Sequence, residues 1–330
     1  MISLVQLLQE TFIFEGGKVF KDTEYYTANI DQGNIVMTVQ KFTEALGELF
    51  KNKKGSFAVL SKPENWLGST GKKQLPNKKS GVIETGDIDI AYSGDNFISN
   101  GIVDLKGWGV GEKEYNQMYN TVKSRAKTAT EDQIKTTALL RVLVSKIEQA
   151  NTDLQVNGKS TSSGALHFSF PQYNVSGKKL TQRAQIDLDT GDLDWLAFRN
   201  NADISIDQER EGIKRLHRGQ LMLAMFSTAG YTFKSGIGLI DKNTKELKLI
   251  GKTPAESIDA FNANYKPNQP LTRDILSNYE DLLKYINTNM KGNDLTTTMN
   301  TYLRKLEIHN EYIPAHMKQW KASQEKNKTK

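Results

Sequence analysis

Apolar positions recur at helical spacing over residues 34–50, where Ile35, Val39, Phe42, Leu46 and Phe50 fall on one side, and this pattern predicts an amphipathic helix. The same period returns over 112–126 and over 131–149, where Ile134, Leu139, Leu140, Leu143 and Ile147 mark a buried face, and a further helix is expected over 2–11. Short strands are expected at 57–60, at 86–92, in HFSF at 167–170 and in RAQIDLD at 183–189. A helix over 207–228 follows, then a hairpin of YTFKSGIGLI with KELKLIG around the turn DKNT. From Thr253, where Pro254 gives a helix start, the stretches TPAESIDAFN, LTRDILSNYEDLLKYIN, DLTTTMNTYLRKLEI and IPAHMKQWKASQ read as successive short helices. The expectation is an α+β chain: a mixed domain over 1–252 with a helical insertion at about 112–150, a helical region over 253–320, and a basic tail over 321–330 expected to be disordered.

One strand breaks its own pattern. In GVIETGDIDIAY (81–92), alternation puts Ile88 and Ile90 on one face and Asp87 with Asp89 on the other. Two carboxylates so placed repel each other unless a positive group lies between them, and a divalent metal ion is the natural candidate.

Composition narrows the choice of chemistry. The 330 residues are 37% hydrophobic and 25% charged, as for a folded protein with room for two domains. The absence of Cys excludes disulfides, thiolate zinc sites and a cysteine nucleophile, and four scattered His speak against a His-rich metal site. No stretch approaches the roughly 20 apolar residues that span a bilayer, and the N-terminus lacks a signal-peptide pattern, so a cytoplasmic protein without membrane partners is expected. The net charge of +6 is unevenly spread: residues 51–80 hold eight Lys against Glu64 alone, and KQWKASQEKNKTK from Lys318 holds five against Glu325. The first cluster directly precedes the paired aspartates and suits a phosphate-bearing partner; the second reads as solvated surface.

Three short elements complete the candidate site: LGSTGKK at 67–73, GDIDIA at 86–91, and QIDL at 185–188, which presents Asp187 on a strand. Together they resemble the nucleotidyltransferase superfamily of DNA polymerase beta and the poly(A) and CCA-adding polymerases, whose pattern is an apolar residue with Gly and Gly or Ser, then Asp-apolar-Asp on a strand, then a third carboxylate on a later strand. EGGKVFKD at 15–22 extends the likeness toward phage nucleotidyltransferase-like proteins, with the host cytoplasm as the implied location. Two stretches depart from the family spacing: LPNKKSGVIET would be an inserted loop between Gly68 and Asp87, and the helices at 112–149 an insertion before Asp187.

The resemblance implies a polymerase-beta-like domain with a small mixed sheet flanked by helices, and metal-dependent transfer of a nucleoside monophosphate from an NTP to a hydroxyl, with pyrophosphate leaving. Asp87, Asp89 and Asp187 would be the catalytic metal ligands for Mg²⁺ or Mn²⁺. Gly68 and Ser69 would meet the triphosphate, and Lys72 or Lys73 would offset charge on the leaving group. KRLHRGQ at 214–220 reads as a solvated helical face, from which Arg215 or Arg218 could reach phosphate if that helix starts near the site. The Lys-rich segment favours a nucleic-acid acceptor such as an RNA 3′ end. The alternative is a structural or nucleic-acid-binding protein, for example a phage virion component, that retains the fold without catalysis. A calcium loop in DLDTGDLDWLAF fails twice: Asp192 stands where Gly is needed and Phe198 where Glu is needed.

Overall fold

The computed structural model describes residues 19–20, 23–68, 70–71, 83–126, 129–150, 152–158, 161, 164–201, 204–234, 236–243, 248–290 and 292–328. The expected helix over 2–11 lies outside them. The chain divides into two compact units, Gly16–Leu196 and a second that comprises Ala197–Lys330.

The first unit is built on a four-stranded mixed sheet. Its strands are β1 (Ile88–Ser93), β2 (Gln155–Asn157), β3 (Ala165–Tyr173) and β4 (Lys179–Gly191), in the spatial order β1-β4-β3-β2. β1 and β4 run parallel, and the other two pairings are antiparallel. A parallel pair needs a long crossover. Here it contains two helices, α2 (Glu112–Arg125) and α3 (Glu131–Gln149), as well as β2 and β3. Thr130 and Gln133 start α3 with a reciprocal capping box: the Gln133 N–H donates to Thr130 Oγ1 at 3.2 Å and the Thr130 N–H to Gln133 Oε1 at 2.9 Å.

Alternation assigns the two faces of this sheet. Ile88, Ile90, Tyr92, Leu166, Phe168, Phe170, Ile186 and Leu188 enter one core, joined by the apolar sides of α1 (Gln32–Leu49), α2 and α3. Phe42 of α1 meets Phe168 and Phe170 edge-on at 5.0 and 5.6 Å between ring centroids. Such side chains each contribute roughly 1.5–3 kcal/mol on burial, so the register of the sheet is set from this side. The odd-numbered residues of β1 and β4, the aspartates among them, are left for the opposite face.

The run at 57–60 is not a strand. It is a helical turn, Lys54–Phe57, continued by a 3₁₀ turn, Ala58–Ser61, that buries Phe57 and Leu60. A short apolar run carries no period, so burial alone could not tell the two apart. The ladder of β1 starts at Ile88, so Asp87 stands just before the strand.

In the second unit the helix expected over 207–228 is broken. Gly212 adopts φ +90°, and the pieces are α4 (Ile206–Glu211) and α5 (Arg215–Thr228), of which α5 is the longer. KRLHRGQ is not a solvated face either, because Leu216, His217, Arg218, Gly219 and Gln220 are all buried. YTFKSGIGLI is itself a hairpin, β5 (Tyr231–Lys234) with β6 (Gly238–Asp241), and β7 (Leu249–Gly251) adds to its edge. Gly251 lies so close to the helix α6 (Pro254–Tyr265) that a Cβ there would meet the Ser257 backbone at 2.5 Å. This contact ties the hairpin to the C-terminal helices, and the compact division accordingly falls at Leu196/Ala197, ahead of the expected 252/253 boundary. LTRDILSNYEDLLKYIN divides at Asn278 into a short helix, Arg273–Ser277, and α7 (Tyr279–Asn289), while α8 (Asn293–Ile308) and α9 (Ala315–Lys328) follow the predicted pattern, except that α9 runs through Lys328 into the stretch expected to be disordered. Among the described residues, no helix is long and apolar enough to cross a membrane.

Candidate metal centre

The parallel register of β1 and β4 places Asp89 directly opposite Asp187, and the antiparallel register of β4 and β3 places Asp187 opposite His167. Asp87 lies two residues before Asp89 and shares its parity. One carboxylate oxygen from each of Asp87, Asp89 and Asp187 lies within 4.8 Å of the others, and all three residues are half-buried. Three like charges at that separation oppose one another strongly, and a hard divalent cation bound by oxygen ligands is the partner that such a donor set accommodates. The cluster can hold a metal ion.

The turn predicted to accompany the aspartates is held against their strand. Trp66 bridges Ile90 in antiparallel sense, and the Leu67 N–H donates to the Asp89 carbonyl at 2.9 Å. The Thr70 N–H closes the turn on the Leu67 carbonyl at 3.1 Å, and Thr70 Oγ1 accepts the Asp89 N–H at 2.8 Å. Both polar groups of the Asp89 peptide are thus engaged by one turn. Gly68 takes φ +53° in it, a conformation that favours glycine. A Cβ on Gly71 would come within 2.7 Å of the Trp66 carbonyl oxygen, so this position also requires glycine.

Asp187 is held by two side chains. Its Oδ1 lies 2.8 Å from His167 Nδ1, and Gln185 Nε2 donates to Oδ1 at 3.0 Å and to Oδ2 at 3.1 Å. Gln185 is fixed in turn by the Val19 N–H, which donates to its Oε1 at 3.0 Å. Burial of His167 opposes its protonation, but the hydrogen bond to Asp187 and the charges of Asp187, Asp189 and Asp87 outweigh that and leave its pKa raised.

The remaining predicted site residues fare differently. Ser69, Lys72 and Lys73 lie outside the described residues. Arg215 is the first residue of α5, in the second unit. Within the Lys-rich segment, Lys53 pairs with Asp104 and Lys54 with Glu48, so part of that charge serves local ion pairs. Arg218 is enclosed: its Nη1 donates to the Leu276 carbonyl, and its Nη2 to the carbonyls of Phe198 and Arg199. That makes it a structural cation rather than a phosphate ligand. Thr70, His167 and Gln185 join the site without having been expected there. The parity of Gln185 with Asp187 was visible in QIDL, but pairing His167 with Asp187 requires the β3–β4 register, which a lone strand does not disclose.

Comparison with family models, with curated proteins and with solved structures returned no match for this chain.

Proposed function

We propose that the chain is a metal-dependent nucleotidyltransferase whose first unit has a polymerase-beta-like arrangement, and that it moves a nucleoside monophosphate from an NTP to a hydroxyl. The observation that carries this reading is the pairing of Asp89 with Asp187 across parallel strands, with Asp87 beside them and the Leu67–Thr70 turn clasped to the Asp89 peptide. Bound Mg²⁺ or Mn²⁺ would supply charge stabilisation for the attacking and leaving oxygens of an in-line displacement. Asp87 and Asp89 would hold the ions. Asp187 would face the acceptor and take up its proton as the acceptor oxygen bonds to the α-phosphorus and the bond to the pyrophosphate oxygen breaks. The turn would bring the backbone at Gly68 near the triphosphate.

A nucleic acid is the preferred acceptor because residues 51–80 carry a large excess of Lys. The test is incubation with each labelled NTP, Mg²⁺ or Mn²⁺, and pooled RNA, DNA and protein, beside an Asp87→Ala, Asp89→Ala double variant. Label should pass to one acceptor class with the native chain only; transfer that survives the double substitution rules out this site.

A second reading, a binding protein that keeps the arrangement without turnover, draws on the 2.8 Å contact of His167 with Asp187, in which a protonated imidazole would offset one carboxylate without any metal. It predicts nucleic-acid binding unchanged by chelation and no transfer to any acceptor.

A further inference from the structure

His167 and Gln185 stand outside the three-carboxylate pattern, yet both are buried and both meet Asp187. A carboxylate has about four lone-pair positions. His167 takes one on Oδ1, and the Gln185 amide is shared between Oδ1 and Oδ2. Oδ2 therefore keeps the greater part of its acceptor capacity, for a cation and for the acceptor's proton. The donors come from different strands, β3 and β4, so they resist both rotation of the carboxylate about its Cβ–Cγ bond and its displacement along β4. Asp187 projects from β4, the strand beside the one that carries Asp89.

We propose that His167 and Gln185 are positioning residues that lock Asp187 as a one-oxygen ligand, so that the metal centre is formed before the ion arrives. This rests on the metal-centre reading above but not on turnover. The ring of His167 acts through its Nδ1–H donor, and Gln185 relays the support of the Val19 peptide. Partners that orient a ligating carboxylate usually matter by about 10- to 100-fold in affinity or rate.

The experiment is Mn²⁺ titration of the full chain followed by electron paramagnetic resonance, with transfer rates measured in parallel where an acceptor is found. His167→Leu removes the donor, His167→Asn keeps an N–H near the Nδ1 position without a ring or a charge, and Gln185→Met removes the second clamp. His167→Leu and Gln185→Met should each weaken Mn²⁺ binding about tenfold or more, and His167→Asn should restore it to within about threefold of the native chain. Thermal melts in EDTA accompany each titration, so a variant that melts early is identified as misfolded and its neighbour decides the question. Native affinity in both His167→Leu and Gln185→Met, equal losses in His167→Leu and His167→Asn, or no Mn²⁺ binding by the native chain would each overturn the proposal. Mn²⁺ binding that follows the predicted order without any nucleotidyl transfer would sustain it and defeat the functional reading instead.

Discussion

One buried cation and one cluster of half-buried carboxylates are treated in opposite ways. Arg218 in the second unit is enclosed by the carbonyl oxygens of Phe198, Arg199 and Leu276, acceptors that the fold supplies from its own backbone. Asp87, Asp89 and Asp187 in the first unit each bring a carboxylate oxygen within 4.8 Å of the others. A charge met by backbone acceptors of its own unit is structural. A set of like charges converging on one point instead calls for a partner of opposite sign, so the difference in surroundings, rather than residue type or burial alone, separates scaffold from site.

The largest expected effect breaks the site and spares the scaffold. Asp89→Asn keeps the shape of the side chain and should cut transfer at least about a thousandfold, roughly 4 kcal/mol of barrier, while the melting temperature in EDTA stays level or rises as repulsion is relieved. Arg218→Met should do the reverse. With three carbonyls left without their donor, the second unit should lose about 3 kcal/mol, read as faster amide exchange in α5 with Mn²⁺ binding unchanged.

Lys305 of α8 is a cation whose surroundings do not match its charge. Burial and then the nearby charges of Arg304 and Lys242 lower its pKa to about 8. Below that pH the folded and unfolded chains are both protonated and the folded state bears the full cost. Between about pH 8 and 10 the folded state has released the proton while the unfolded state keeps it, so stability should rise with pH, by up to about 3 kcal/mol. Above about pH 10 ionisation of tyrosines in the unfolded chain, Tyr279 and Tyr302 among those held protonated by burial in the fold, should reverse the trend. Urea titrations of the native chain and of Lys305→Met should show the rise in the first only.

The smallest effect concerns the turn. Thr70→Val removes the acceptor of the Asp89 N–H and should cost about 1 kcal/mol of stability, with a several-fold loss of transfer through displacement of Asp89.

The parts legible in the sequence are those written in local periodicity. The helices over 32–49, 112–125 and 131–149 and the parity of Asp87 with Asp89 follow from spacing within one segment. What spacing could not supply is registration between segments. Asp187 meets Asp89 because β4 lies parallel to β1, and His167 meets Asp187 because β3 lies antiparallel to β4. Neither fact resides in either strand alone. KRLHRGQ misled for a related reason: its polar composition suggests solvent exposure, while the carbonyls that receive Arg218 come from elements around residues 198 and 276.

Attack on the α-phosphorus of an NTP, as proposed for the acidic face, is separated from other chemistry by parallel reactions with α-labelled and γ-labelled NTP, Mg²⁺ and the acceptor pool. Nucleotidyl transfer puts α-label on the acceptor and γ-label in released pyrophosphate, both abolished by Asp89→Asn. γ-Label on the acceptor, or α-label transfer undiminished by Asp89→Asn, would contradict it.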